Sequence, residues 1–379
     1  MYIQIDNAGF VNKGAALMIL SIMDYLRSKI PGVKFVMGNG WSPDKTAERR
    51  AGLYQIAEFE NVSSDCFSKE ELERYGLVKR QFIDVILDAG GFQYGDCWLQ
   101  FYSNQSNETL KTYYSEYKKN NVKIILLPQA FGSFEEELAR ERMKIVFDFA
   151  DLIYAREKIS LDYLTDLLGE SQKIQMSPDF TTLFEPYMSS ELIKKVEGAV
   201  CLIPNCKMIE KCSAEIGSVY LSFLEKIVQF FIEKGEKVLL LNHEGKEDLK
   251  IIKDLKSRFN ENESIIIQDI GYAPAIKATI GQCKLLISSR FHGLISGIAQ
   301  GVPSFCTSWN HKYQELLKDY GLENNLLDPS SLDDALDKMN SCLSHPQEYI
   351  ASPDLIQKNK NQSVEMWSEV LDSILVATC

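Results

Sequence analysis

The chain has 379 residues, 45% of them hydrophobic and 25% charged, with a formal net charge of −12 at pH 7. That composition is ordinary for a soluble globular protein, the length favours two domains over a single core, and the acidic balance excludes a non-specific nucleic-acid binder, which would need clustered Lys and Arg. No apolar run approaches the roughly 20 residues that span a bilayer, and the N-terminal MYIQIDNAGF lacks the basic and apolar segments of a signal peptide. Nine cysteines without a C-x-x-C pair fit free thiols in a reducing cytoplasm, so a cytoplasmic location is expected. Cys201, Cys206 and Cys212 lie nearest one another, but Cys201 sits in an apolar run and a fourth ligand is missing, so no metal site is expected.

The chain opens with a short strand, Tyr2-Ile3-Gln4-Ile5, then a turn-rich segment from Asp6 to Gly14 and the apolar helix AALMILSIMDYL. The loop offers small residues and Lys13 for close approach to a ligand, but it is neither a G-x-G-x-x-G nor a Walker A loop. A second strand, Lys34–Met37, runs into Gly38-Asn39-Gly40, and a third, Phe82–Leu87, into Asp88-Ala89-Gly90-Gly91. Paired glycines after a buried strand mark a close backbone approach. Val122–Leu127 is a near-continuous apolar strand, followed by Pro128-Gln129 and a helix over Glu135–Phe149. Ala150–Ala155 is a further strand that ends at Arg156, a cation placed to meet a ligand or to pair with Glu157 or Asp179. Lys173–Met176 closes this half.

The alternation restarts after the polar stretch Glu185–Glu197. Strands are expected at Gly198–Ile203, Lys237–Leu241, Ser264–Ile267, Leu285–Ile287 and Ser304–Thr307, with a helix from about Ile216 to Lys234. Strands alternating with helices imply two mostly parallel sheets: a first domain over 1–185, a second over 196–350, and a last segment, 351–379, whose helix from about Ile356 to Val376 packs across both. The expected fold is α/β, two doubly wound Rossmann-like domains facing a central cleft. In such sheets ligands bind beyond the carboxyl ends of the strands.

Several polar residues stand at such ends. His243 follows the strand that ends at Leu241, and Lys312 follows the one that ends near Thr307. Arg290 and His292 follow Leu285-Leu286-Ile287 in KLLISSRFHGLISGIAQGVP, just before a helix. A guanidinium suits a carboxylate or phosphate, and an imidazole moves a proton near neutral pH. The pair reads as an anion site with acid–base capacity, or else as an arginine paired to a carboxylate beside a histidine that caps a helix.

The ordered set Ser289-Arg290-Phe291-His292-Gly293, Ala299-Gln300-Gly301-Val302-Pro303 and Lys312 resembles the polysaccharide pyruvyl transferases, whose fold is similar to that of GT-B glycosyltransferases. Supporting matches are Asn12-Lys13-Gly14-Ala15, Gly90-Gly91, Pro128-Gln129 with Phe131-Gly132, Tyr154-Ala155-Arg156-Glu157 with Ser160, Pro178-Asp179, and Asn242-His243 with Glu247-Asp248. The chain departs from the family's pattern at Ala15, often acidic, and at Ala89, often a third glycine.

The resemblance implies transfer of a pyruvyl group from phosphoenolpyruvate to a sugar of a cell-surface polysaccharide or its precursor, forming a ketal. By it, Arg290, Arg156, Lys312, Ser289 and Gly293 bind the donor, while Asn12, Lys13, Gly14, Gly90, Gly91 and Gln129 face the acceptor. His292 is the acid–base residue, with His243 second. The scheme needs no metal and no cofactor beyond the donor substrate, because cations carry the charge. The partners are phosphoenolpyruvate and a glycan acceptor, with neither nucleic acid nor a membrane span; a lipid-linked acceptor would bring the protein to a membrane surface. The competing enzyme is a GT-B glycosyltransferase using a nucleotide sugar, with Glu315 on the ribose. A non-enzymatic sugar- or anion-binding protein is the third reading.

Overall fold

The computed structural model describes residues 1–38, 45–58, 62–102, 105–186, 190–259 and 262–376. Asn39 and Gly40, which follow the second strand, lie outside the described residues.

Among the described residues, fourteen strands form two parallel sheets. The first contains β1 (Tyr2–Asp6), β2 (Lys34–Met37), β3 (Tyr54–Ile56), β4 (Leu77–Val78), β5 (Val85–Asp88), β6 (Phe92–Tyr94), β7 (Lys123–Phe131), β8 (Leu152–Ala155) and β9 (Ile174–Met176). Its order is β4-β3-β2-β1-β5-β7-β8-β9, with β6 paired to β7. The second sheet contains β10 (Val200–Ile203), β11 (Val238–Leu241), β12 (Ile265–Gln268), β13 (Leu285–Ser288) and β14 (Ser304–Cys306), in the order β12-β11-β10-β13-β14. β1, β5, β10, β11 and β13 are buried along their whole length. Strands covered on both faces read as mainly apolar runs, interrupted in β1 by the buried Gln4, which is why they are visible in the sequence.

Each sheet reverses its order once. In the first the reversal falls between β1 and β5, whose last residues Asp6 and Asp88 are direct partners. In the second it falls between β10 and β13, where Ile203 partners Ser288. Loops diverge at such a reversal and leave room for a ligand.

The chain divides into two compact units. The first comprises Met1–Val11, Met18–Phe184 and the residues from Lys360 onward; the second comprises Asn12–Leu17 and Glu185–Asn359. The short stretch Asn12–Leu17, which begins the helix Lys13–Lys29, therefore belongs with the second sheet. Side-chain capping explains why that helix starts there: Asn12 Oδ1 accepts from the backbone N–H groups of Gly14 (2.8 Å) and Ala15 (3.3 Å). The helix Pro353–Val376 has its first residues in unit 2 and those from Lys360 in unit 1, where Trp367 stacks on Tyr25 at 5.0 Å and meets Phe180 edge-on. Trp367 is fully buried, so truncating it to alanine is expected to cost about 3–5 kcal/mol.

Candidate functional site: an anion site in unit 2 and a cavity in unit 1

In unit 2, helix N-termini gather beyond the ends of β11, β13 and β14. Glu244 precedes the helix Gly245–Ser257, Arg290 precedes Phe291–Ile298, and Lys312 opens Lys312–Asp319. The start of Lys13–Lys29 joins them: Lys13 N donates to His243 O at 3.2 Å, and Asn12 Nδ2 donates to Glu244 at 3.1 Å. Unsatisfied N–H groups and aligned peptide dipoles at such termini favour anions.

Arg290 lies at the centre. Its Nε and Nη2 donate to the two carboxylate oxygens of Asp248, each at 2.8 Å, and its Nη1 pairs with Glu244. Burial alone would lower the guanidinium pKa; the carboxylates of Glu244 and Asp248 outweigh it and hold the group above its ordinary value. The second edge of the fork meets Cys206 Sγ at 3.9 Å. Burial first, and Asp248 second, push that thiol up to about 12, so Cys206 is a neutral neighbour and no nucleophile. Arg290 is thus an arginine paired to carboxylates, as the structural alternative in the sequence anticipates. Asp248 fixes its orientation through one edge, and the partly exposed Glu244 meets it from the other.

His292 is the second residue of its helix and partly exposed. Its imidazole lies against the start of Lys13–Lys29, where a Cβ on Gly14 would fall 2.3 Å from Nδ1. The Lys312 ammonium lies over the rings of Trp309 (5.1 Å), Phe291 (5.6 Å) and Tyr313 (5.8 Å). Cation–π attraction therefore holds it against Phe291, the residue between Arg290 and His292 in the sequence.

Three further residues expected to touch the donor are held by protein neighbours. The Ser289 hydroxyl is enclosed by Tyr220 OH and Thr307 Oγ1, both at 2.7 Å, and its carbonyl accepts from Asn205 and Tyr313, so it shapes the turn. Gly293 is a packing position, since a Cβ there would meet Ser288 Oγ at 2.6 Å and Ile203 Cδ1 at 2.9 Å. Arg156 lies in unit 1, buried, with Nη1 3.3 Å from Asp179 and Nε 3.8 Å from Glu157. That is the ion-pair alternative.

His243, the second acid–base candidate, is buried in the same unit. Burial, followed by the charges of Arg290, His292 and Lys13, lowers its pKa to about 3, so the imidazole is neutral at pH 7. Its Nδ1 has no hydrogen-bond partner. Asn12, Lys13 and Gly14, expected on the acceptor side of the first domain, belong to this unit 2 site.

Unit 1 has its own concave site where its sheet order reverses. A cavity of about 690 Å³ is lined by Asp6, Asn7, Gly90, Gln93, Tyr94 and Arg142 together with further aromatic rings. Asp88, fully buried, accepts from Asn7 (2.8 Å), Gly90 N (2.9 Å), Gln93 (2.9 Å) and Tyr94 OH (2.9 Å). Gln129 donates to Asp88 at 3.4 Å from a fully buried position, and Gly91 takes φ +67°, which permits the turn after β5. Gly90 alone of the expected acceptor residues lines the cavity; Gly91 and Gln129 support the turn behind it.

Asp6 accepts from Gln4 Nε2 (2.8 Å) and Tyr113 OH (2.7 Å). Burial raises its carboxyl to about 7, the nearby Asp88 adding to the effect. Such a carboxyl exchanges a proton near neutral pH. Sequence reading takes Asp6 and Asp88 as turn residues, but a signal was there: YIQID and VILD are adjacent apolar strands that each end in aspartate.

A model of the polysaccharide pyruvyl transferases matches residues 12–311, from the cap of the first long helix to the residue before Lys312. The chain belongs to the polysaccharide pyruvyl transferase family. It is therefore a transferase, and a sugar or polysaccharide acceptor is implied. No curated protein matches the chain in sequence.

Solved structures similar to this pyruvyl transferase show its fold. A UDP-N-acetylglucosamine 2-epimerase homologue from Listeria monocytogenes matches with a TM-score of 0.62 at 10% identity, covering 97% of this chain and 95% of its own. The UDP-GlcNAc 2-epimerase of Neisseria meningitidis bound to UDP-GlcNAc gives 0.60 at 11%, over 98% and 100%. Anabaena HepE in complex with UDP gives 0.57 at 12%, over 98% and 99%. The fold is GT-B-like, as expected from the two doubly wound sheets. Among the described residues no cluster of His, Cys, Asp or Glu is arranged to hold a metal ion, the described cysteines are free thiols, and no helix is long and apolar enough to cross a membrane.

Proposed function

We propose that this pyruvyl transferase takes its pyruvyl group from phosphoenolpyruvate, bound in unit 2, and forms a cyclic ketal on a sugar. The observation that carries the reading is the convergence of Arg290, Lys312, His292 and the N-terminus of Lys13–Lys29 at the end of the second sheet. A small dianion needs two separate cations; Arg290 offers the edge that Glu244 now covers, and Lys312 offers a point charge. His292 supplies the proton to the methylene.

The steps balance without an added reagent. The C3 methylene gains a proton from His292 as a sugar hydroxyl adds to C2, and the proton that this hydroxyl gives up restores His292. The C2–O bond to phosphate then breaks, the phosphate leaves with the electron pair, and a second hydroxyl closes the ring as its proton passes to the departing phosphate. Arg290 and the helix N-termini meet the charge that grows on the phosphate, which lowers the barrier electrostatically. Neutral His243 fits a hydrogen-bonding role beside them.

The chemistry uses phosphoenolpyruvate as the donor substrate and no cofactor, and we place the protein on the cytoplasmic side, where that donor is made. Stoichiometric release of inorganic phosphate from phosphoenolpyruvate, dependent on an added glycan acceptor, is the expected result. Release of a nucleotide from a nucleotide sugar, with phosphoenolpyruvate inert, would replace this reading by the glycosyltransferase one.

A further inference from the structure

The unit 1 cavity contains a charged residue that the donor chemistry does not use. Arg142 lies on the helix Glu137–Phe149 and is only 5% exposed, yet it lines the cavity. Its partners are all neutral: Nη1 donates to Gln105 O (2.9 Å) and Asn107 Oδ1 (3.4 Å), and Nη2 to Gln105 Oε1 (3.0 Å). Nε has no partner, and among the described residues no carboxylate lies within ion-pair distance of this guanidinium. By contrast Arg290 and Arg156 are buried against acids. A buried charge without a counter-charge is costly, and of the five guanidinium donors, Nε–H and one proton of Nη2 are left without a protein acceptor.

The rest of the wall has the chemistry of a carbohydrate site. The Arg142 guanidinium stacks 4.4 Å from the Tyr102 ring, and Trp98 and Phe101 stand with ring centroids 5.5 Å apart. Trp98 Nε1 is buried and has no acceptor. Asn7, Gln93 and Gln105 add amide groups. Flat rings meet the C–H faces of a pyranose, and amides and a carboxyl meet its hydroxyls. The volume falls within the roughly 300–1,000 Å³ of small-molecule sites.

We propose that this cavity binds the acceptor as a glycosyl unit carrying an anionic group, phosphoryl or carboxyl, with that group on Arg142. The inference rests on the reading of the chain as a transferase onto a sugar, and adds that the sugar is charged. Asp6, on the same wall, is raised by burial to about 7 and so carries its proton below that pH, which lessens the negative charge facing the anion.

The test is calorimetric binding of glucose 1-phosphate, glucuronic acid, glucose and inorganic phosphate to the full chain. At least one charged sugar should bind about tenfold or more tightly than glucose, and it should also bind more tightly than inorganic phosphate. A preference for glucose 1-phosphate points to a phosphorylated acceptor, and a preference for glucuronic acid to an acidic sugar. Arg142→Gln should abolish the preference and Arg142→Lys should keep part of it, with phosphoenolpyruvate binding unchanged in both. Glucose binding as tightly as the charged sugars, or inorganic phosphate matching glucose 1-phosphate, overturns the inference from the unmodified protein alone. Transfer from phosphoenolpyruvate onto a neutral sugar with no gain from charge would refute it while leaving the proposed function standing. Charged sugars bound without any binding of phosphoenolpyruvate would do the reverse.

Discussion

A methyl group on Gly14 would stand 2.3 Å from Nδ1 of His292, so the absence of a side chain at the second residue of one helix sets the place of the imidazole on another. Gly14→Ala should help the helix itself while displacing His292. The expected outcome is about a hundredfold loss of turnover with little change in Tm. Turnover near that of the unmodified protein would separate the position of His292 from catalysis.

Asp248 is fully buried and holds Arg290 through both Nε and Nη2. Asp248→Asn leaves a buried guanidinium with half its neutralisation, and removing one partner of a buried pair costs about 3–5 kcal/mol. Denaturant unfolding should show that loss, with weaker phosphoenolpyruvate binding in the fraction that remains folded.

Glu244 meets the same guanidinium from the solvent side and is still partly exposed. An entering anion must compete with it. Glu244→Gln is therefore expected to tighten phosphoenolpyruvate binding severalfold, as read by calorimetry. Weaker binding would mean that Glu244 aids the donor.

Two buried groups give stability opposite dependences on pH. His243, near 6.5 when unfolded and about 3 when folded, contributes stability that is present above pH 6.5 and is lost as pH falls toward 3. Its depression comes from burial first, then from Arg290, His292 and Lys13. His243→Gln should flatten the fall in Tm between pH 7 and 5.

Asp6 runs the other way. Its carboxyl lies near 3.9 when unfolded and about 7 when folded, raised by burial and by Asp88 against the pull of Tyr113, Gln4 and Arg80. Its contribution is full below pH 4 and lost as pH rises through 7. Relative to the unmodified protein, Asp6→Asn should gain stability between pH 5 and 8, by a few kcal/mol at most.

The strands that position the site were legible because parallel strands covered on both faces are runs of Val, Ile and Leu. β3, β4 and β6 were not: each is two or three residues long, and Tyr-Gln-Ile and Phe-Gln-Tyr carry a polar residue at the centre. Arg290 and His292 were visible through their place after β13. Their partners were not, since Glu244 and Asp248 lie more than forty residues away and come near only when β10, β11 and β13 pair. Asn12–Gly14 read as the loop of the first sheet because sequence order attaches it to β1, whereas its contacts attach it to the second. Arg142 looked like one more polar residue in ELARERMKIVFDF; its burial depends on Tyr102 and Gln105, which no local pattern reveals.

The central claim is that unit 2 holds phosphoenolpyruvate through Arg290. Titrating phosphoenolpyruvate and, separately, UDP-N-acetylglucosamine into the protein and its Arg290→Lys variant tests it most directly. The account predicts binding of phosphoenolpyruvate that weakens about tenfold or more in the variant, because a fork becomes a point charge. Binding of the nucleotide sugar with no heat from phosphoenolpyruvate, or equal phosphoenolpyruvate affinity in both proteins, would contradict it.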